Sequence, residues 1–432
     1  MDRVRTVRER KNLSDRNETI VRWLGKVIHG LWSLALPFTL TIVLGLCAGK
    51  SSQAGMPGVE IIFLDEAVKD SNTGGNISNV VIGTQFMNVS SRLSASRNSE
   101  QGRSMRGISG ELKSRDLYAG LLSDAGFGYK SSDDETSFFS NIGAFVQGAD
   151  FFGNKELTGD PAFGFDNKDI GLGVDYKLGD KVVIGTIFNY TNGDTDFDLN
   201  HESTDASTKK LSLYGTYNVT NEIYIDGYGM YGWNDFDSKR KFNLSSETST
   251  QANQLSRIDN AGTLYTVGVS SGYDFVLGAT TVGPLGRLFY AKTAVDGFSK
   301  TIKTSDTESE TLIIGDQTSD SLTTNLGMEA SYAYKTSERL QKIRLGVLIP
   351  QVRAEWVHEY MNGSKNLEAT LVQANQIMSS ATAEPDRDFL KVGCGLSGIF
   401  ANGISAYFQY EEVIGLSHIT AHNVAFGVRV EL

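Results

Sequence analysis

The sequence predicts an all-β transmembrane protein, a twelve-stranded antiparallel up-and-down outer-membrane β-barrel. Three observations lead there. Apolar and small or polar residues alternate with a period of two from Phe138 to the end of the chain. The alternating segments are even in number and are joined by connections that are short and long in turn. The N-terminal residues have the make-up of an export signal.

The alternation is plainest where Ile170, Leu172, Val174, Tyr176 and Leu178 oppose Gly171, Gly173, Asp175, Lys177 and Gly179, as a pleated strand requires. Leu326, Met328, Ala330 and Tyr332 oppose Asn325, Gly327, Glu329 and Ser331, and the last strand sets Phe426, Val428, Val430 and Leu432 against Gly427, Arg429 and Glu431. Strands are expected to start near residues 138, 163, 181, 207, 222, 262, 281, 320, 343, 387, 403 and 420. Tight turns are expected at Gly179-Asp180, at Thr220-Asn221, around Gly278 and at Asn402-Gly403. Long loops are expected over about 192 to 207, 235 to 261, 300 to 319 and 362 to 386. An even count puts both chain ends of the sheet on the short-turn rim.

In such a barrel the apolar set faces lipid and the polar set faces a wet bore, so Asp175, Glu329, Arg353, Glu355 and Arg429 are expected to point inward. A soluble β-sandwich also alternates. The leader, the strand count and aromatic residues near strand ends (Tyr190, Trp233, Phe298, Trp356, Tyr360, Tyr410) favour the barrel. In GVLIPQVRAEWVHEY (346 to 360), Val352, Ala354 and Trp356 would face lipid, and Pro350, which cannot donate a ladder bond, is expected at a bulge or bend.

Residues 1–54 hold a basic front end, an apolar run from Val27 to about Ala48 and the small-residue sequence SSQAG, read as a signal peptide with an extended front region. An uncleaved inner-membrane helix is the alternative, since about 20 apolar residues span a bilayer. Residues 55–76 are expected to be a short exported segment or linker, 77–137 a helix and linker, and 138–432 the barrel.

Composition excludes several classes. The net charge is -11, and removing the leader's 9 basic and 4 acidic residues from totals of 40 and 51 leaves 31 against 47, so nucleic acid is not an expected partner. Two cysteines, Cys47 and Cys394, supply neither a disulfide framework nor a zinc motif. His201, His358, His418 and His422 stand in no motif that fixes catalytic geometry. No catalytic residue, cofactor or metal site is expected.

GVLIPQVRAEWVHEY, GFDNKDIGLGVDYKLGDKVVIGTIFNY (164 to 190), LSLYGTYNVTNEIYIDGYGMYGWNDFDSKR (211 to 240) and GISAYFQYEEVIGLSHITAHNVAFGVRVEL (403 to 432) resemble the translocator β-domain of autotransporters, the type V secretion family. The resemblance covers about two thirds of the chain, from residue 138 onward. It implies an N-terminal α-helix in the lumen, a role that falls to about Ile77 to Ser96. There Ile82, Phe86, Val89 and Leu93 recur at helical spacing, and Arg92 and Arg97 begin a basic stretch. It also implies a C-terminal assembly signal at Phe426, Val428, Val430 and Leu432, in which Leu432 replaces the family's usual terminal aromatic residue. Only about 20 residues remain for a passenger, and no Asn-Asn pair supports self-cleavage among Asn76, Asn79 and Asn88.

The function implied is a non-enzymatic domain that inserts in the outer membrane of a Gram-negative bacterium and translocates or anchors an N-terminal segment at the cell surface. Its expected partners are outer-membrane lipid and lipopolysaccharide, the barrel-assembly machinery and periplasmic chaperones, and it is expected to act as a monomer. The alternatives are a passive outer-membrane pore and a loop-mediated adhesin without a passenger.

Overall fold

A computed structural model describes residues 141–431 except 157–161, 180, 198–201, 247–248, 304–308, 337–344, 362–365, 382–385, 401–403 and 418. The leader, the segment after it and the helix with Ile82, Phe86, Val89, Arg92, Leu93 and Arg97 lie outside the described residues, as do the turn at Asn402-Gly403 and Leu432.

The described chain forms β1 (Ile142–Lys155), β2 (Phe163–Leu178), β3 (Val182–Phe197), β4 (Ser203–Asn218), β5 (Ile223–Ser246), β6 (Ser249–Tyr273), β7 (Phe275–Leu277), β8 (Thr280–Val295) and β9 (Phe298–Lys303). It continues with β10 (Ser309–Ile314), β11 (Gln317–Tyr332), β12 (Tyr334–Lys335), β13 (Leu345–Glu359), β14 (Asn366–Leu371), β15 (Gln376–Ala381), β16 (Asp388–Phe400), β17 (Ile404–Ile414) and β18 (Ile419–Glu431). Twelve of these make the wall, in the order β1, β2, β3, β4, β5, β6, β8, β11, β13, β16, β17, β18, each antiparallel to its neighbours. Pairing of β18 with β1 and of β8 with β11 closes the sheet, so no backbone edge is left in hydrocarbon.

The expected barrel is therefore present, and its strand ends fall where an even count requires. Gly143 pairs with Glu431 at the same rim as the turns that follow β2 and β4 and the turn that precedes β8. Gly179 and Gly278 take φ of 61° and 69° in two of these turns, a conformation that side chains resist. At the Thr220-Asn221 turn the Thr220 hydroxyl accepts the N–H groups of Glu222 (3.1 Å) and Ile223 (3.0 Å).

The register fixes the shape. Carried from strand to strand, a line from Ile142 passes Tyr176, Ile184, Gly215, Gly227, Val269, Leu288, Thr324, His358 and Asp388. Continued through the β16–β17, β17–β18 and β18–β1 registers, it re-enters β1 at position 156, fourteen residues beyond its start. With a strand spacing of about 4.8 Å and a rise of about 3.3 Å, that stagger tilts the strands by roughly 39° and gives a backbone radius of about 12 Å.

The outer face is apolar at mid-height on eleven of the twelve wall strands: Val146, Leu172, Ile184, Leu213, Val269, Leu288, Met328, Val352, Leu396, Phe408 and Phe426 are exposed on it, Leu172 by 63%, while β5 presents Gly227 and Gly229 there. Tyr190, Tyr231, Trp233, Tyr265, Trp356 and Tyr360 stand toward the long-loop rim, and Tyr217, Tyr273, Phe275 and Tyr332 toward the other. These are the two aromatic levels of a membrane-spanning barrel. Of the aromatics singled out from sequence, Phe298 lies beyond the wall at the start of β9.

Four expectations change. Residues 192 to 207 are not a long loop: β3 and β4 stay paired as far as Asp196 and Ser203. Residues 235 to 261 are not a loop: β5 and β6 stay paired as far as Ser246 and Ser249, well above the rim. Residues 300 to 319 and 362 to 386 contain the hairpins β9–β10 and β14–β15, which join through β10 and β14 into a separate four-stranded sheet. Above the membrane the ladder needs only backbone partners, so strands persist where the lipid-driven alternation has ended. Pro350 also sits differently: it pairs in register with Leu396, while the irregularity of β13 lies between Leu345 and Val347. On the opposite side, the β11 ladder stops at Ser331↔Gln351 and resumes in β12 at Tyr334↔Leu348, so the proline falls at an interruption.

Candidate functional site: the wall of the bore

The inner face combines charges, amides and apolar groups. Its largest polar cluster is built on β8, β11, β13, β16 and β17. Glu355, 1% exposed, holds Arg287 Nη1 at 2.9 Å from Oε1 in an ion pair, and its Oε2 accepts hydrogen bonds from Arg287 Nη1 and Asn325 Nδ2, both at 3.1 Å. Arg353 Nε lies 3.0 Å from Glu355 Oε1 but off the N–H axis, so that contact is electrostatic. Arg353 also reaches Glu411 (3.4 Å) and Glu329 (3.9 Å). Lys391 is the register partner of Glu355 on β16 and is buried beside it. Alternation puts these residues inward. Their company is set by the register.

A second cluster centres on Asp169 of β2, which accepts Asn189 Nδ2 (2.6 Å), Thr191 Oγ1 (2.6 Å) and Lys210 Nζ (2.7 Å), while Lys210 also meets Thr191. A third joins Arg429 of β18 to Asp175 of β2, with Nη2 to Oδ1 at 2.9 Å and the Tyr214 hydroxyl at 3.3 Å from Oδ2. Taking a charge out of water costs several kcal/mol unless a partner and further hydrogen bonds replace it. The acid at the centre of each cluster has a cation and at least one neutral donor.

Asp175, Glu329, Arg353, Glu355 and Arg429 thus fall into two of the three clusters: Asp175 with Arg429, and Glu329, Arg353 and Glu355 together. Phe426, Val428 and Val430 lie on the outer face of β18. Arg287, Asn325, Glu411, Asp169 and Lys210 escaped sequence reading as site residues. Asp169 lay just before the point where the alternation becomes obvious, and Arg287 carries no signal beyond its phase.

The bore is not uniformly hydrated. Phe145, Ile187, Tyr214, Tyr228, Met230, Leu264 and Phe289 form an apolar cluster on its wall, and Phe151, Phe163, Phe165, Phe197, Val413 and Ala421 another near the long-loop mouth. Large rings fit inside because glycines face them. A Cβ at Gly173 would strike the ring of Phe145, and one at Gly185 the ring of Tyr214.

A family model described as autotransporter beta-domain matches residues 123–411. The chain belongs to this family. It is accordingly an outer-membrane translocator domain of Gram-negative type, from a family whose work is secretion and not catalysis. Solved structures similar to this autotransporter β-domain include the translocator domain of autotransporter NalP from Neisseria meningitidis, at 17% identity and a TM-score of 0.49, covering 74% of this chain and 95% of that one. The β-domain of the Bordetella autotransporter BrkA is similar at 14% identity and 0.46, covering 68% and 100%. The transport unit of AIDA-I from Escherichia coli is similar at 13% and 0.42, covering 73% and 97%. No curated protein matches the chain.

Proposed function

We propose that this autotransporter β-domain passes the segment N-terminal to it through the bore and holds that segment at the cell surface, with residues 77–96 as the helix left in the lumen. The observation that carries the reading is the way the wall handles charge. Arg287, Arg353, Lys210 and Arg429 are each bridged to an acid of the wall itself. Among the described residues, Gln147 Oε1, both amide atoms of Gln351 and the hydroxyls of Thr216 and Thr266 are buried in the wall with no protein partner. These neutral atoms have almost no exposed surface, so a passing chain meets chiefly charges that the wall has already engaged. A backbone radius of about 12 Å, less the inward side chains, admits one helix of about 10–12 Å diameter and no folded domain.

Outer-membrane lipid, lipopolysaccharide, the barrel-assembly machinery and periplasmic chaperones are the partners proposed, with the barrel working as a monomer. The test is a protease-sensitive tag within residues 55–75 of the full chain. Digestion of the tag on intact cells is the expected result. Protection of the tag in barrels that are otherwise correctly assembled would overturn the reading.

A further inference from the structure

The two hairpins above the rim form a built surface. β9–β10 rises from β8 and β11, and β14–β15 from β13 and β16, which are neighbours in the wall. They join at Leu312↔Leu371, Ile313↔Thr370 and Ile314↔Ala369. Gln373 locks the junction: its Oε1 accepts the Thr311 N–H at 2.6 Å, and its own N–H donates to Glu310 Oε1 at 2.8 Å. One face of the sheet is dry, with Ile302, Leu312, Ile314, Ala369 and Leu371 all buried.

The sheet ends abruptly at β15. Among the described residues only β14 pairs with it, and the next wall strands, β17 and β18, stop at Ile414 and begin at Ile419, below its level. Free edges in stable proteins are blunted by lysine, proline or a bulge. QIMSSA, the sequence of β15, has none of these, and Ile377 on it is 71% exposed.

We propose that this edge receives residues 58–68 of the same chain, GVEIIFLDEAV, as an added antiparallel or parallel strand, fastening the exported segment beside the mouth of the bore. The inference rests on the translocation reading above. IIFL carries apolar side chains on both faces of a strand, bounded by Glu60 and Asp65. A place beside a sheet with a dry face and with Ile313 and Ile377 together on its exposed face meets both needs. Reach is ample: more than 70 residues separate Val68 from Ile142, about 105 Å even if wholly helical, against a bore about 40 Å long.

The experiment uses the full chain with Cys47→Ser and Cys394→Ser, a tag after residue 55, Ser379→Cys, and one cysteine at a time from Val59 to Asp65. Oxidation on intact cells is expected to give an intrachain crosslink whose yield alternates with a period of two along the segment. Ile377→Pro is expected to cut that yield at least fivefold while the barrel stays assembled. A tag that external protease cannot reach would sink the translocation reading itself. Digestion of the tag with no crosslink at any position, or a crosslink only between the thiols introduced at position 379 of two chains, would overturn the docking alone.

Discussion

Arg287 on β8 and Glu355 on β13 meet at 2.9 Å although β11 stands between them. The bridge passes over Gly327 of β11, the register partner of Glu355, where a Cβ would run into the Glu355 side chain. The same device recurs at the seam of the barrel. Arg429 on β18 reaches Asp175 on β2 across Gly143 of β1, and a Cβ there would meet the guanidinium. Each pair staples three strands, and a glycine in the middle strand makes room for it.

Removing the acid of the larger staple leaves Arg287 and Arg353 facing each other with buried Lys391 beside them. Glu355→Gln is therefore expected to cost about 3 kcal/mol. The check is the urea midpoint of the folded barrel in detergent micelles, with an unchanged slope. The comparison is Asp388→Asn, which removes a carboxylate hydrogen-bonded to His358 (2.8 Å) on the outer rim, where Asp388 is more than half exposed. That change is expected to cost less than about 1 kcal/mol. Equal losses from the two variants would mean that the inner cluster is as well hydrated as the rim.

The ring-on-glycine contact makes a separate prediction. Gly173→Val forces the Phe145 ring out of its place, at about 1–3 kcal/mol for an overpacked site. Phe145→Ala alone is expected to cost about 3 kcal/mol or more through the cavity it leaves. In the double variant the ring clash is gone and only the approach of the new Cβ to the Thr186 carbonyl oxygen (2.6 Å) remains, so the two losses are expected to sum to more than the combined loss. Simple additivity in urea unfolding would show that the two sites do not communicate.

The wall was legible from sequence because lipid demands an unbroken apolar face. Ile170, Leu172 and Val174 could not alternate otherwise, and nearly every strand start falls within a few residues of its expected place. The bulk of β5 and β6 beyond Asp235 was not legible, because above the membrane Asp237 pairs with Asp259 and Lys239 with Arg257, and such residues leave no alternating signature. Nor were the staples. Alternation sends Arg353 or Arg429 inward, but whether it meets Glu411 or Asp175 depends on strand order and stagger, which are properties of the closed cylinder. The β10–β14 junction joins residues about sixty apart through three backbone pairs, with no local pattern to announce it.

Depth in the bilayer gives a graded test of the outer face. Leu172 stands near mid-height, so Leu172→Arg is expected to destabilise the inserted barrel by about 2–4 kcal/mol. Ser207 occupies the outer face of β4 near the long-loop rim, beside Asn192 and Asp235, and Ser207→Arg is expected to cost about 0–1 kcal/mol. Unfolding from lipid vesicles measures both. Equal costs, or a larger cost at Ser207, would place the membrane at a different height on the wall.

The sheet above the rim should also come apart on its own. Its dry face rests on few side chains, and its two hairpins hold together through three register pairs and the Gln373 contacts, whereas the wall strands pair along their lengths. Leu312 is buried in that face at the junction, so Leu312→Ala is expected to cost about 2–4 kcal/mol of local stability. Because elements with few contacts open separately from the whole, the loss is expected to appear as faster cleavage within 304–308 and 362–365 by protease added to intact cells. The urea midpoint of the barrel is expected to stay where it was. A fall in the midpoint that matches the local loss would mean that the loop sheet and the wall unfold as one unit.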